Sequence, residues 1–567
     1  MARSGTPERS SVPPGQAPYG SASDQSAPPG SAPSGPARAA VRRRLLGSAA
    51  GVLALALLFV AYLQVSRTYP ENSDESNTML MAWDMLHGNV LLHGWHLSDV
   101  SFYTTELPQY AMLERLLGLH LDTAHVGAAM TYTLVVVFAV LLAGGGTAKG
   151  RRGRMLLTAA VMFAPQLGVG VFVLLLSVGH IGTSVPMMLI WLIMDRVRPR
   201  WWLPVLVGLL LTWVLVADPL VIVIGIVPLV AVCALRVARV LSAARRCADR
   251  PAGWAKTCLR AQWYELSLVV AAILAYGLAS VVSRLLSAGG AFILHPVPYQ
   301  LAPVHTWPEH AWVTAEGLLA LFGAKPQGPQ AELAFALLHL ASVLLVGWAI
   351  CRVARRFLSW PDMISQVLLL AIVINVLLYI PSTLADATDL NAREFAVVLP
   401  FGAVLAGRTL ADRILDRAWW RSGRRRTAAA LLAGALLAGY GASLGYAAAQ
   451  PSVPPANQQL AAFLAAHHLT HGVGGYWQSS VVTVGSDGAV TIRALSPGRL
   501  QPDLWEAKAS WYDPGLHQAT FLVTENKPGF FNHWEPSPTA LAAYGPPART
   551  YHVGPYTVYV WNKNLLG

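Results

Sequence analysis

Acids are scarce in this chain, 29 Asp plus Glu among 567 residues, yet Asp74, Glu75, Asp84, Asp99 and Glu106 all fall in one stretch, 66–125. Asp74 and Glu75 follow Ser73 at the start of a segment in which Met79, Ala82, Met85 and Leu86 mark an apolar stripe. That spacing predicts an amphipathic helix lying along a membrane surface, capped by Ser73 and stopped by Gly88. The dipole of such a helix favours an ionised carboxylate at its amino end, the state a general base must hold. The chemistry on offer is removal of a proton from an attacking hydroxyl. The alternative is that the pair only caps the helix.

A second acid, Glu106, stands in TTELPQY, where Pro108 starts another helix. Between the two lies GNVLLHGWHLSDVSFY, which carries Trp95 and Tyr103. Such side chains stack on sugar faces and bond to hydroxyls, and they also populate membrane interfaces. Asp218, in VADPL, sits where two apolar runs meet, and an ionisable group at that depth points to function or caps the helix ahead of Pro219. No phosphate loop, dinucleotide fingerprint or serine elbow occurs in a fitting context, and the histidines of HHLTH lack the glutamate of a zinc motif.

These residues need elements to hold them, and composition says which. Charged residues are 12% of the chain against a usual quarter or so, and the mean hydropathy is +0.46. Apolar runs lie near 45–65, 126–145, 155–177, 181–195, 202–217, 219–235, 266–288, 331–351, 363–381, 395–411 and 427–449. The expectation is a multi-pass α-helical membrane protein of about eleven spans. The formal charge of +12 is gathered into short basic clusters at 149–154, 196–200, 236–260, 352–356 and 408–426. These fall on one side of the membrane, as the positive-inside rule requires of the cytoplasm, and this pattern excludes a nucleic-acid face.

Residues 1–44, rich in Pro, Gly, Ser and Ala until the arginines at 42–44, are expected to be a disordered cytoplasmic tail. Residues 45–449 are the membrane domain, with 66–125 as its first exterior loop. An odd number of spans places 450–567 outside the cytoplasm, where the sequence predicts a small α/β domain. Its expected parts are a helix capped by Asn457, a hairpin turning at 486–488, and a strand pair turning at Gly554. Cys233, Cys247, Cys258 and Cys351 fall at cytoplasmic positions and read as reduced thiols.

An Asp-Glu pair just after the first span, a helix ending in glycine, an aromatic stretch and an acid before proline together resemble the first loop of GT-C glycosyltransferases. The branch in question holds protein O-mannosyltransferases and aminoarabinose transferases. Where those enzymes carry a Lys-Pro-Pro-like segment after the second acid, this chain has Leu107-Pro108-Gln109. The resemblance implies a plasma-membrane enzyme that moves a sugar from a polyprenyl-phosphate carrier to an extracytoplasmic glycan, lipid or protein. Asp74 would be the general base, Glu75 would orient the site, and Glu106 would bind the acceptor or a sugar hydroxyl. Arg393, His180 and His305 would meet the donor phosphate. Trp95, Tyr103 and Asp218 would contact sugar or acceptor. No metal ligand set is expected, although a divalent cation could bridge Asp74 and Asp218. Two other readings remain open at this point: a flippase for a lipid-linked glycan, disfavoured by the lack of an internal repeat and of mid-span charges, and a non-catalytic scaffold that binds envelope polymers.

Overall fold

The computed structural model describes residues 35–145, 150–165, 167–176, 178–245, 254–385, 389–416, 423–455, 457–496, 500–525 and 534–567. Most of the expected tail, and parts of the basic clusters at 149–154, 236–260 and 408–426, lie outside them. A helix covers Gly35–Ser66 at the start of the described residues.

Among the described residues five helices are long and apolar enough to cross a bilayer: Leu45–Ser66, Asp122–Ala143, Ile222–Arg245, Trp263–Ala288 and Gln330–Arg355. Shorter apolar helices cover Trp202–Ala217, Met363–Tyr379 and Val398–Ala411. The chain is a multi-pass membrane protein. Helices Trp202–Ala217 and Trp263–Ala288 leave Leu209, Val270, Ile273 and Leu274 exposed, a face suited to lipid and not to water. They approach each other through small residues: a Cβ on Gly208 would stand 3.3 Å from that of Ala271. Close contact of this kind replaces the hydrophobic drive that lipid removes.

One expected span is broken. The run near 155–177 forms a helix over Arg151–Met162, an irregular stretch, and a short helix over Val169–Leu174. Pro165 cannot donate a backbone bond and disfavours helix at the residue before it, and Gly168 takes a φ of +73°. Backbone irregularity at membrane depth is tolerated where protein covers it, and Val171, Val173 and Leu174 are buried. At the opposite end of the bundle Arg408 binds Asp362 at 2.8 Å, Asp195 at 2.7 Å and the Leu142 carbonyl at 2.7 Å, tying four segments together.

The last hundred residues form a five-stranded mixed sheet. Its strand order is Thr491–Ala494, His471–Gly474, Phe521–Glu525, Tyr556–Val560, Arg549–Val553. The first three are mutually parallel, and the last two form an antiparallel hairpin turned at Gly554, φ +57°. The hairpin expected around 486–488 is instead a helix, Ser480–Gly485, a turn with Asp487 at φ +51° and Gly488 at +78°, and then a strand. The turn residues act as turn residues, but Val481, Val482 and Val484 are buried as a helical face. Asn457 is not a side-chain cap: it takes φ +63°, and its amide donates to the Trp477 carbonyl.

A three-stranded sheet splices distant segments. Trp95–Leu97 pairs in parallel with Ile293–Leu294 and antiparallel with Ala507–Lys508. A common core holds Met79, Leu107 and Tyr110 of the first loop with Val481, Val482 and Phe521 of the carboxyl-terminal part.

Candidate active site

The helix Ser73–Leu86 begins with a capping box. Asn72 Oδ1 accepts from the Asp74 and Glu75 amides at 2.9 and 3.3 Å, and Glu75 Oε2 accepts from the Asn72 amide at 3.1 Å. Asn72 therefore does what Ser73 was expected to do. The apolar stripe of the helix is turned in part to protein, with Leu86 left exposed. Met79 and Ala82 are fully buried, because helix Glu106–Leu117 and helix Ser480–Gly485 cover that side. Ser73 Oγ donates to the Tyr476 carbonyl at 2.6 Å, so the helix is fastened to the turn Tyr476–Gln478.

With Glu75 held in the cap, Asp74 is the carboxylate that faces the cavity, a space of about 250 Å³. Arg393 and Glu394 reach its wall from the turn Asp389–Phe395, His180 from the stretch before helix Ser184–Arg196, and Asp99 from just after strand Trp95–Leu97. Tyr476 and Trp477 enter from their turn, while Trp505 and Glu506 precede strand Ala507–Lys508. Pairing of that strand with Trp95–Leu97 sets Glu506 opposite the Ser98–Asp99 side. Lys508 Nζ reaches Asp84 Oδ2 at 3.0 Å, and Trp95 Nε1 donates to the same oxygen at 2.8 Å. Burial alone would raise the Asp84 carboxyl, but the bonds from Trp95, Asn89 and Lys508 outweigh it and hold it low. Asp84 is a pin for the splice.

The charged groups form one continuous chain. Asp218 Oδ2 lies 2.8 Å from His180 Nδ1, and His180 Nε2 lies 3.2 Å from Glu394 Oε2. Glu394 Oε1 lies 3.7 Å from Arg393 Nε, and Arg393 Nη1 lies 3.3 Å from Asp74 Oδ2. Tyr476 Oη is 2.7 Å from Asp74 Oδ1 and 2.8 Å from Glu506 Oε2. Burial would lower the His180 imidazole, yet Asp218 and Glu394 on its two nitrogens raise it well above its ordinary value. Burial would likewise raise Asp218 and Glu394, and the His180 charge reverses that, so both stay low. Asp99 moves the other way: burial, then the Glu394 charge, raise it. Burial and then Asp74 push Glu506 up to about 8.

Of the residues singled out from the sequence, Asp74, His180 and Arg393 meet at this cavity, and Asp218 stands one bond behind His180. Asp218 also accepts from Thr183 Oγ1 and the Leu220 amide, at 2.8 Å for the latter. His180, Glu394 and Arg393 link Asp218 to Asp74, the pair that a divalent cation was expected to bridge. Among the described residues no group of three or more His, Cys, Asp or Glu side chains is arranged to hold a metal. Glu106 is buried beside the His180–Asp218 pair, accepts from Thr105 Oγ1, and is pushed up to about 7, chiefly by burial. It does not line the cavity.

Three other residues do not meet there. Trp95 is 1% exposed and packs edge-on against Trp511 at 4.9 Å between ring centres. Tyr103 donates to the Val90 carbonyl at 3.1 Å. His305 is exposed in the turn Val304–Thr306. Their local sequence resembles that of binding residues because aromatic-rich loops also build cores and interfaces. The residues that reasoning from sequence missed are Glu394, Tyr476 and Glu506. Glu394 carried a faint signal, since it adjoins Arg393. Tyr476 and Glu506 carried none.

Bundle, spliced loop and acidic cavity together make up a multi-pass membrane protein. A solved structure with this fold is ArnT from Cupriavidus metallidurans in its apo state, an aminoarabinose transferase. It is 13% identical, the match covers 91% of this chain and 98% of that one, and the TM-score is 0.51. ArnT from the same organism bound to undecaprenyl phosphate is also 13% identical over 90% and 98%, with a TM-score of 0.25. No protein-family model and no curated protein sequence matches the chain.

Proposed function

We propose that this protein is a plasma-membrane glycosyltransferase that moves a sugar from a polyprenyl-phosphate carrier to a hydroxyl of an extracytoplasmic glycan, lipid or protein. The observation that carries the reading is the setting of Asp74. Its carboxylate takes a bond from Tyr476 on one oxygen and faces Arg393 with the other, on the wall of a cavity flanked by Trp477 and Trp505. The fold it shares with ArnT and the first-loop resemblance support the donor class. With about eleven spans, as the sequence leads us to infer, the amino end lies in the cytoplasm and residues 450–567, which supply Tyr476, Trp477, Trp505 and Glu506, on the far side.

The acceptor O–H gives its proton to Asp74 as the oxygen attacks the anomeric carbon. The bond from that carbon to the phosphate oxygen breaks, and its electron pair leaves with polyprenyl phosphate. Arg393, 38% exposed, is the cation at hand for that phosphate. Proton uptake cancels the charge on Asp74 that holds the guanidinium, so Arg393 is released toward the phosphate as negative charge develops there. Trp477 and Trp505 take the stacking role first expected of Trp95 and Tyr103.

The test is release of polyprenyl phosphate by purified protein from polyprenyl-phosphate-linked hexoses and pentoses. Asp74→Asn is expected to cut turnover by about 10²–10⁴-fold, the usual contribution of a general base. Turnover by that variant equal to wild type removes the assignment.

A further inference from the structure

The hydroxyl of Tyr476 has one proton and three neighbours. Asp74 Oδ1 is at 2.7 Å, Glu506 Oε2 at 2.8 Å, and Asn77 Nδ2 donates to it at 3.2 Å. A phenol oxygen can donate once and accept twice. With Asn77 as one donor, the other two contacts are both hydrogen bonds only if one of the two carboxyls carries a proton. Asp74 stands against the Arg393 guanidinium; Glu506 is 7% exposed and has no cation within bonding distance among the described residues, which makes it the carboxyl to carry the proton.

We infer that Glu506 works in its protonated form, as a positioning residue that donates to Tyr476 and so directs the single phenolic proton onto Asp74 Oδ1. All three contacts of the phenol are then hydrogen bonds: Glu506 O–H to Tyr476 Oη, Asn77 N–H to Tyr476 Oη, Tyr476 O–H to Asp74 Oδ1. Asp74 Oδ2, beside Arg393, is left as the oxygen that receives the acceptor's proton. This assignment rests on the glycosyltransferase reading for its role in turnover, but the protonation state rests on the geometry alone.

The groups facing Glu506 are Asp74 and Asn77 from helix Ser73–Leu86, Tyr476 from its turn, and Ser98 and Asp99 from the segment after strand Trp95–Leu97. Arg393 and Glu394 face the same cavity from the turn Asp389–Phe395, with His180 beyond them. Burial and the Asp74 charge keep the Glu506 proton on up to about pH 8. Above that, two carboxylates compete for one phenolic proton, and Asp74 loses its aim.

The experiment compares pH profiles of kcat/KM, read as polyprenyl phosphate released from a polyprenyl-phosphate-linked hexose, for wild type, Glu506→Gln and Glu506→Ala. Gln can donate to Tyr476 as the protonated acid does. It is expected to keep turnover within about threefold at neutral pH and to lose the alkaline fall, whereas Ala falls about 10–100-fold, the worth of the Tyr476 bond to the Asp74 carboxylate that Glu506 aims. Gln as damaged as Ala, or Gln that keeps the alkaline fall, overturns the inference. Infrared difference spectra of wild type minus Glu506→Gln give a readout free of turnover. A protonated-carboxyl band at neutral pH that disappears above about pH 8 is expected, and its absence overturns the inference. The band present with no sugar transfer in wild type leaves the inference standing and removes the functional reading instead.

Discussion

Asp74 and Arg393 are 319 positions apart, yet each is bound by the other and by one more partner, Tyr476 for Asp74 and Glu394 for Arg393. In the proposed reaction Arg393 is the cation that meets the donor phosphate, and removing the guanidinium takes it away. Arg393→Ala is therefore expected to lower kcat/KM for the lipid-linked donor by about 10²–10³-fold. Arg393→Lys is expected to recover part of that, since lysine keeps the charge without the fork that spans Asp74 and Glu394. Steady-state kinetics with varied donor check both. His180 belongs to the same scale. Held by Asp218 and Glu394, it stays charged as pH rises through the ordinary histidine range, so turnover is expected to show no histidine limb between about pH 6 and 7. Asp74 could be picked out from the sequence because a helix start after an apolar run is a local signal. Glu506 could not, because what makes it special is burial beside a residue more than four hundred positions earlier.

The elements that hold these side chains were unequally legible. The long apolar helices follow from composition, since twenty or so apolar residues have few other destinations. The break at 163–168 was written in Pro165 and Gly168 but hidden under an unbroken hydropathy. Helix Ser480–Gly485 was invisible, because valines that alternate like a strand serve as well for one buried helical turn pair once a neighbour covers them. Two predictions belong here. Asn72→Ala removes the cap and is expected to cost about 1 kcal/mol and to misplace Asp74, lowering turnover more than thermal stability. In helix Glu106–Leu117, both carboxyl oxygens of Glu114 are buried without a hydrogen-bond partner among the described residues, and burial pushes its carboxyl up to about 9. A folded value above the unfolded 4.5 means stability present below that pH and lost as pH rises through about 9. Glu114→Gln is expected to flatten that decline, by about 1–2 °C or more in Tm between acid and alkaline buffer.

At the scale of the whole molecule, the membrane helices and the last hundred residues are not independent parts. A chain ended at 449 would lack Tyr476, Trp477, Trp505 and Glu506, and would also uncover the core shared by Met79, Leu107 and Val482. Such a truncation is expected to show no turnover and to expose the loop 66–125 to protease, which limited digestion in membranes would read. The proposed orientation has its own check. Ala489 is exposed in the turn after helix Ser480–Gly485. Ala489→Cys is expected to react with a membrane-impermeant thiol reagent added outside intact cells, while the native cysteines do not.

The three-stranded splice of Trp95–Leu97, Ile293–Leu294 and Ala507–Lys508 also fixes an order in time. Its first and last strands stand about four hundred positions apart, so the ribosome must have delivered everything between them before the two can meet. Until then Asp74 has neither its phenol nor its neighbour acid, and a product stalled earlier is expected to be inert toward the lipids around it. Competence waits on the arrival of the third strand.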